Sequence, residues 1–280
     1  MAGQSQVAKA TTFRALHHGP KILLLPNAWD VASARMMEEA GAAAIATTSA
    51  GVAFALGYPD GQKISRAEML ATVARVAAQV KLPVTADVEA GYGNRPQDAA
   101  LTAEAVIEAG AVGMNLEDAT GDAQHPLADL SLQLEKISAV RETGRRFGVP
   151  LVLNARTDVF LAQVGAAEAR YEHAVRRLAA YRDAGADCLF APGVREASVV
   201  ASLVRDLKHP VNILAGPGAP SIPELQRIGV ARVSLGSSVM RATLGLARRI
   251  AEELLGPGTY NSLQDAPSHK EVNRLMGRAE

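Results

Sequence analysis

At 280 residues the chain is long for one ordinary domain; it fits either one α/β barrel or two domains of about 140 residues. Lysine plus arginine and aspartate plus glutamate number 29 each, so a formal net charge of zero removes the electrostatic case for nucleic acid or an anionic membrane as partner. The single cysteine, Cys188, rules out an intrachain disulfide and suits a reducing cytoplasm, the N-terminal stretch has no signal-peptide core, and no apolar run reaches the roughly 18 residues of a membrane span.

In chain order, short apolar runs alternate with amphipathic stretches. "ILLLPNAW" (22–29) and "AAAIATTS" (42–49) read as strands, followed by a helix over 65–80, a strand over 83–89 and a helix over 96–110. A strand over 112–118, a helix over 131–148, a strand over 150–158 and a helix over 165–185 come next. Strands over 188–193, 211–216 and 232–237 complete a set of eight. "EEAGAAAI", "IEAGAVGM", "RDAGADCL" and "RIGVARV" each close a helix on glycine and enter a strand. Strands without polar alternation between helices mean a parallel sheet, and eight such units predict a (β/α)8 TIM barrel spanning 1–256 as one catalytic domain. An open doubly wound sheet is the alternative; its Gly-rich first turn is missing from "LPNAWD". The remainder, 257–280, is a C-terminal extension with a short helix predicted over 268–278.

In a barrel the chemistry sits at the C-terminal strand ends. The first predicted strand ends in Asn27, Trp29 and Asp30, the second in Thr47, Thr48 and Ser49 with Ala50 and Gly51 following, and Asp60 lies in the loop beyond. The third carries Asp87 and Glu89 in "ADVEAGYGN", the fourth Asn115, Glu117 and Asp118, the fifth Asn154, Arg156 and Asp158. Capping accounts for Asp30 and a helix's first turn for Asp98, while Asp158 reads equally as a structural partner of Arg156 or as a site residue. Asp118 reads equally as a turn residue. Asp87 and Glu89 have strand spacing and share a face. With Glu117 they form a trio of carboxylates and no lysine stands at a strand end, which predicts metal or proton chemistry among them. The histidines and the lone cysteine show no zinc spacing, so oxygen ligands point to Mg2+, with Mn2+ as substitute. Arg156 is the natural counter-group for a substrate carboxylate, and the amides of Ser49, Ala50 and Gly51 are candidates for holding an oxyanion. Trp29, Tyr58, Tyr92 and His125 are placed to shape substrate choice, and Cys188 reads as core.

"TTSAGVAFALGYPDG", "PVTADVEAGYGN", "NLEDA" and "LNARTD", in this order on successive strands, resemble the isocitrate lyase/phosphoenolpyruvate mutase superfamily over about residues 20–255. The resemblance implies a barrel whose eighth helix is exchanged between subunits of a homo-oligomer, tetramer or dimer. It implies Mg2+ on Asp87, with Asp60, Glu89 and Glu117 holding its waters. It also implies that the backbone at Ser49 and Ala50, with Arg156, binds a pyruvate- or oxalate-like carboxylate. Two departures stand out: Asp-x-Glu replaces the family's Asp-x-Asp, and the loop "EDATGDAQHPLADLSLQ" lacks both the lyases' catalytic cysteine and the phosphonomutases' lysine and asparagine. His125 is the titratable group left in that loop as an acid/base candidate.

The expected activity is Mg2+-dependent cleavage or decarboxylation of a small 2-oxo or 2-hydroxy acid through a stabilised enolate, with Arg156, Glu117 and His125 as catalytic candidates and Asn154 and Trp29 beside the substrate. C–C hydrolysis, a phosphonomutase-like reaction and a ligand-binding barrel without catalysis are the alternatives. A Schiff-base aldolase is set aside, because it needs a lysine at a strand's C-terminal end.

Overall fold

A computed structural model describes residues 4–277. Helix α1 (Gln4–Leu16) precedes β1 (Leu23–Leu25) and β2 (Asn27–Ala28); then follow α2 (Val31–Glu39), β3 (Ile45–Thr47), α3 (Ser49–Ala55), α4 (Arg66–Gln79), β4 (Val84–Asp87), α5 (Pro96–Glu108) and β5 (Gly113–Glu117). The second half holds α6 (Leu130–Phe147), β6 (Val152–Arg156), α7 (Arg170–Asp183), β7 (Cys188–Phe190), α8 (Ala197–Leu207), β8 (Val211–Leu214), α9 (Ile222–Ile228), β9 (Arg232–Ser234), α10 (Ser238–Leu255) and α11 (His269–Met276).

The strands form one parallel sheet in the order β1-β9-β8-β7-β6-β5-β4-β3-β2, the two ends of which are the two halves of the first predicted strand. Pro26 has no N–H to donate and divides that strand: Leu23–Leu25 pairs with β9, Asn27–Ala28 with β3, and the ring closes through the proline. Asn27 stitches this seam. Its Oδ1 accepts from the Leu235 and Gly236 amides at 2.8 and 2.9 Å, and its Nδ2 donates to the Thr47 carbonyl at 2.9 Å. The (β/α)8 barrel is therefore as expected, with nine strand segments rather than eight because of one proline. Gly41, Gly110, Gly185 and Gly229 all take positive φ just beyond a helix, the left-handed turn that the glycine punctuation predicts.

Three local expectations change. The N-terminal α1 was not predicted. It lacks a capping signal, and it reaches the barrel's N-terminal end, where Phe13 would meet any Cβ added to Gly113 on β5. The helix predicted over 165–185 begins with a 3-10 turn, Ala167–Ala169, and is α-helical only from Arg170 to Asp183. The extension's helix runs over His269–Met276, and residue 278 of its predicted span lies outside the described residues. Leu275 is buried, and Arg35 on α2 donates to its carbonyl at 2.8 Å, so α11 is seated on its own barrel. By contrast α10 stands off the barrel: Met240 is its one buried residue, and Leu244, Leu246, Leu254 and Leu255 are exposed. A groove of about 640 Å³ lined by Leu16, Ile22, Leu24, Pro26, Met37 and Leu235 lies open beside β1. Among the described residues no helix is long and apolar enough to cross a membrane.

Candidate active site

β4 ends on Asp87, whose register neighbour on β5 is Asn115, itself opposite Asn154 on β6. Parallel register thus sets three polar side chains in a row across the barrel interior. Asp87 is held on both oxygens: Oδ2 accepts from the Ser49 amide at 2.9 Å and the Ser49 hydroxyl at 2.8 Å, and Oδ1 accepts from Asn115 Nδ2 at 3.2 Å. Its own amide donates to Thr47 Oγ1 at 2.9 Å. Oδ2, with two donors on it, is filled, and Oδ1 keeps one lone pair that these contacts do not use.

Beyond Asp87 the chain makes a hook. Glu89 and Tyr92 have φ of +52° and +56°, and Gln62, on the loop after α3, has +56°. Left-handed backbone at non-glycine residues is costly and persists only where contacts enforce it. Here they interlock: the Gln62 amide donates to Glu89 Oε2 at 2.6 Å and the Tyr92 amide to Gln62 Oε1 at 2.8 Å. Lys136 of α6 clamps the hook from behind, donating to the carbonyls of Ala90 at 3.2 Å and Gly93 at 2.7 Å. Glu89 Oε1 is left buried with no hydrogen-bond partner. Burial, then the charges of Asp87 and Asp60, push the Glu89 carboxyl up to about 7. Asp60 is exposed as a residue, yet partial desolvation and then the Asp87 charge raise its carboxyl too, so it faces this group.

Arg156, at the end of β6, is gripped from two sides. Its Nη1 lies 2.7 Å from Glu117 Oε2, and Nε and Nη2 donate to the two oxygens of Asp158 at 2.5 and 2.8 Å. The planar guanidinium retains N–H groups beyond these three. It also lies over the Phe190 ring, 5.8 Å from the centroid. Burial raises the Glu117 carboxyl well above the ordinary range, Arg156 opposing and Asp158 and Asp87 reinforcing the shift.

The structure brings Asp60, Asp87, Glu89, Glu117, Arg156 and Ser49 into one electrostatic group at the barrel mouth. Ala50 and Gly51 form the start of α3 beside it; a Cβ on Gly51 would stand 2.5 Å from Thr48 Cγ2 and 3.1 Å from Trp29 Cβ, which places Trp29 against the same turn. Two predicted residues make other contacts. Asn154 is fully buried in the same register row as Asn115 and Asp87, with its Nδ2 donating to Asn115 Oδ1 at 2.8 Å. His125 is exposed on the loop after β5, where its carbonyl accepts from Thr120 Oγ1. It lines a recess of about 660 Å³ with Gln124 and His173. Lys63 and Tyr58 are exposed, Cys188 is core, and Asp30 caps α2 by accepting from the Ser33 amide at 2.7 Å. Sequence reasoning missed Gln62, Lys136 and Arg232 as supports of the site, which only their through-space partners reveal; Asn115 was read as a strand-end residue, without its contact to Asp87.

Among the described residues no three His, Cys, Asp or Glu side chains close on one point as direct ligands. That donor set fits a hard cation taking one carboxylate directly and keeping most of its waters, as Mg2+ does, and does not fit zinc. The buried, unpartnered Glu89 Oε1 is an acceptor suited to such a water.

Residues 13–255 match the family described as phosphoenolpyruvate phosphomutase. An uncharacterized Mycobacterium tuberculosis protein is 36% identical over 241 residues, 86% of this chain and 87% of its own length. A Burkholderia cenocepacia structure provisionally described as a lyase/mutase superposes with a TM-score of 0.92 at 40% identity, covering 97% of this chain and 96% of its own. Oxaloacetate acetylhydrolase, solved with its product oxalate, superposes with a TM-score of 0.86 at 26% identity over 97% and 94% of the two chains.

Proposed function

The chain belongs to the isocitrate lyase/phosphoenolpyruvate mutase superfamily, and from that premise we propose that it is a Mg2+-dependent enzyme cleaving or decarboxylating a small 2-oxo or 2-hydroxy acid at the mouth of its barrel. The observation that carries this is the pairing of a doubly held Asp87 and an unpartnered buried Glu89 oxygen with the Arg156 guanidinium across the mouth. Asp87 would ligate the ion, and Asp60, Glu89 and Glu117 would hold its waters. When bound, the cation supplies Lewis-acid polarisation of carbonyl and carboxylate oxygens. Arg156 presents its remaining N–H groups to the substrate carboxylate, fixed in plane by Glu117 and Asp158. Of the three amides at this turn, the Ser49 amide is committed to Asp87 and the Gly51 amide to the Thr48 hydroxyl at 3.4 Å, so the Ala50 amide is the one that would face developing negative charge. Glu117, its carboxyl raised by burial, is the proton-carrying group inside the mouth.

C–C hydrolysis is the second reading. It is favoured by the likeness to oxaloacetate acetylhydrolase and by the loop after β5, which has no cysteine. The assembly reading follows from α10: its exposed leucines and the open groove beside β1 are complementary, and a second copy's α10 fills that groove in a homo-oligomer.

The test is a coupled 2-oxo acid and acetate assay on oxaloacetate, 2-alkylmalates and methylisocitrate, with Mg2+ or with EDTA. Mg2+-dependent product above the metal-only background is expected, and acetate plus oxalate from oxaloacetate identifies the hydrolase. Silence across the panel, or product undiminished by EDTA, overturns the reading.

A further inference from the structure

Among the described residues the largest fully buried side chain is an arginine, Arg232 of β9, 1% exposed. Its register neighbours are Leu23 on β1 and Asn212 on β8, and neither is acidic. Among the described residues no carboxylate makes an ion pair with it, and Nε and Nη1 have no hydrogen-bond partner. Its one polar contact is long: Nη2 donates to Asn115 Oδ1 at 3.4 Å. Two titratable neighbours supply no counter-charge. Burial, then Arg232 itself, drives His17 down to about 3, and burial pushes the Cys188 thiol up to about 12, so both are neutral at physiological pH. A buried guanidinium without a counter-ion is destabilising, and an arginine does not shed its proton to escape.

What the position gains is at the level above. Asn115 Oδ1 accepts from Asn154 Nδ2 at 2.8 Å and from Arg232, and two donors on that oxygen fix which end of the amide is which. The Asn115 NH2 is thereby turned onto Asp87 Oδ1 at 3.2 Å. Asp87 is also the carboxylate whose charge reaches Arg232 inside the barrel.

We propose that Arg232 is a positioning residue for Asp87: from beneath the mouth it locks the Asn115 amide toward the carboxylate. The inference rests on the reading of Asp87 as the metal carboxylate. Arg232 therefore trades fold stability for a site preset to receive a divalent cation.

The test uses the full chain as wild type, Arg232→Met, Arg232→Lys, Asn115→Ala and the Arg232→Met/Asn115→Ala double variant. Each is melted in EDTA and titrated with Mg2+ by calorimetry. Arg232→Met is expected to melt at or above wild type, since an unpaired buried charge is gone, and to bind Mg2+ about tenfold more weakly, the lost positioning of Asp87 outweighing the removal of a like charge from beneath the cation. Arg232→Lys retains most of the affinity. Asn115→Ala weakens Mg2+ to a similar degree, and the double variant is no weaker than the worse single, because both act through one amide. Unchanged Mg2+ affinity in Arg232→Met, or losses that multiply in the double variant, overturns the proposal. Should Arg232→Met not fold, wild-type affinity in Asn115→Ala overturns it alone. A wild type that does not bind Mg2+ overturns the metal reading and this inference together, whereas a binding wild type with an indifferent Arg232→Met overturns this inference only.

Discussion

Glu117 and Asp118 are consecutive acids at the end of one strand, and the barrel puts them to opposite uses. Glu117 points into the mouth, where it meets Arg156 and the other carboxylates and its carboxyl is driven upward by burial. Asp118 points outward and is completely buried, with every neighbour a donor. The Thr157 hydroxyl, Arg177 Nε and Tyr181 hydroxyl reach its Oδ2 at 2.7, 2.7 and 2.6 Å, and the Asp158 amide reaches Oδ1 at 2.9 Å. One carboxylate is saturated by its own protein. The other belongs to a group with more negative charge than its one arginine neutralises. Saturation marks a structural acid and the deficit marks a site, a distinction set by the two-residue period of a strand.

The largest effect that should break this comparison is at the mouth. Asp87→Ala is expected to lower Mg2+-dependent turnover by about three orders of magnitude or more with the melting temperature nearly kept; near-wild-type kcat would remove Asp87 from the metal role. Next comes the saturated acid. Asp118→Ala leaves Arg177 buried and unpaired, and about 3–5 kcal/mol of stability should go with it, read as a fall in denaturation midpoint. Glu117→Gln, its chain neighbour, should leave that midpoint close to wild type while cutting kcat/KM about a hundredfold. Equal stability losses for the two would show that the contrast is wrong.

A pH measurement sharpens the same point. The Glu89 carboxyl is raised from its usual 4.5 to about 7 in the folded protein, first by burial and then by Asp87 and Asp60. The folded state therefore holds a proton there that the unfolded chain has already lost. That contribution is fully present below about 4.5 and is lost as pH rises through about 7 in metal-free protein. Mg2+ needs the ionised group, so its affinity should climb toward pH 7 and level off above it. Glu89→Gln should flatten the climb in a calorimetric pH series, and an unchanged slope would assign the proton elsewhere. Paired Leu244→Glu and Leu254→Glu substitutions on α10 should shift the assembly toward monomer in sedimentation velocity, and an unaltered oligomer would place the interface on another face. The smallest effect is expected at His125: as an exposed loop residue, its change to Gln should alter kcat/KM by less than about tenfold.

The barrel and much of its mouth were readable from sequence because both follow short-range rules. Glycines past each helix and unbroken apolar strands gave the alternation, and strand parity put Asp87 with Glu89 and Glu117 with Asn115. The same rules stop where contacts cross the chain. Asn154 shares strand parity with Arg156, but parity does not name a side chain's partner, and Asn154 proves to be fully buried with its amide on Asn115 Oδ1. Pro26 was visible, yet its consequence, a strand serving two neighbours, depends on ring closure. Gln62 and Lys136 look like ordinary loop or helix residues in a string of letters, and Arg232 like the polar start of a strand. Their importance lies in a 2.8 Å contact to Tyr92, a 2.7 Å contact to Gly93 and a guanidinium left without a carboxylate.

The central claim is that the carboxylate mouth takes a divalent cation and a small acid together, and thermal shift with oxalate as probe tests it most directly. Wild type and Asp87→Ala are melted with oxalate alone, Mg2+ alone, and both. The account predicts a rise in melting temperature for wild type well beyond the sum of the separate effects when both are present, and none for Asp87→Ala. Equal stabilisation by oxalate in EDTA, or an undiminished joint effect in Asp87→Ala, would contradict it.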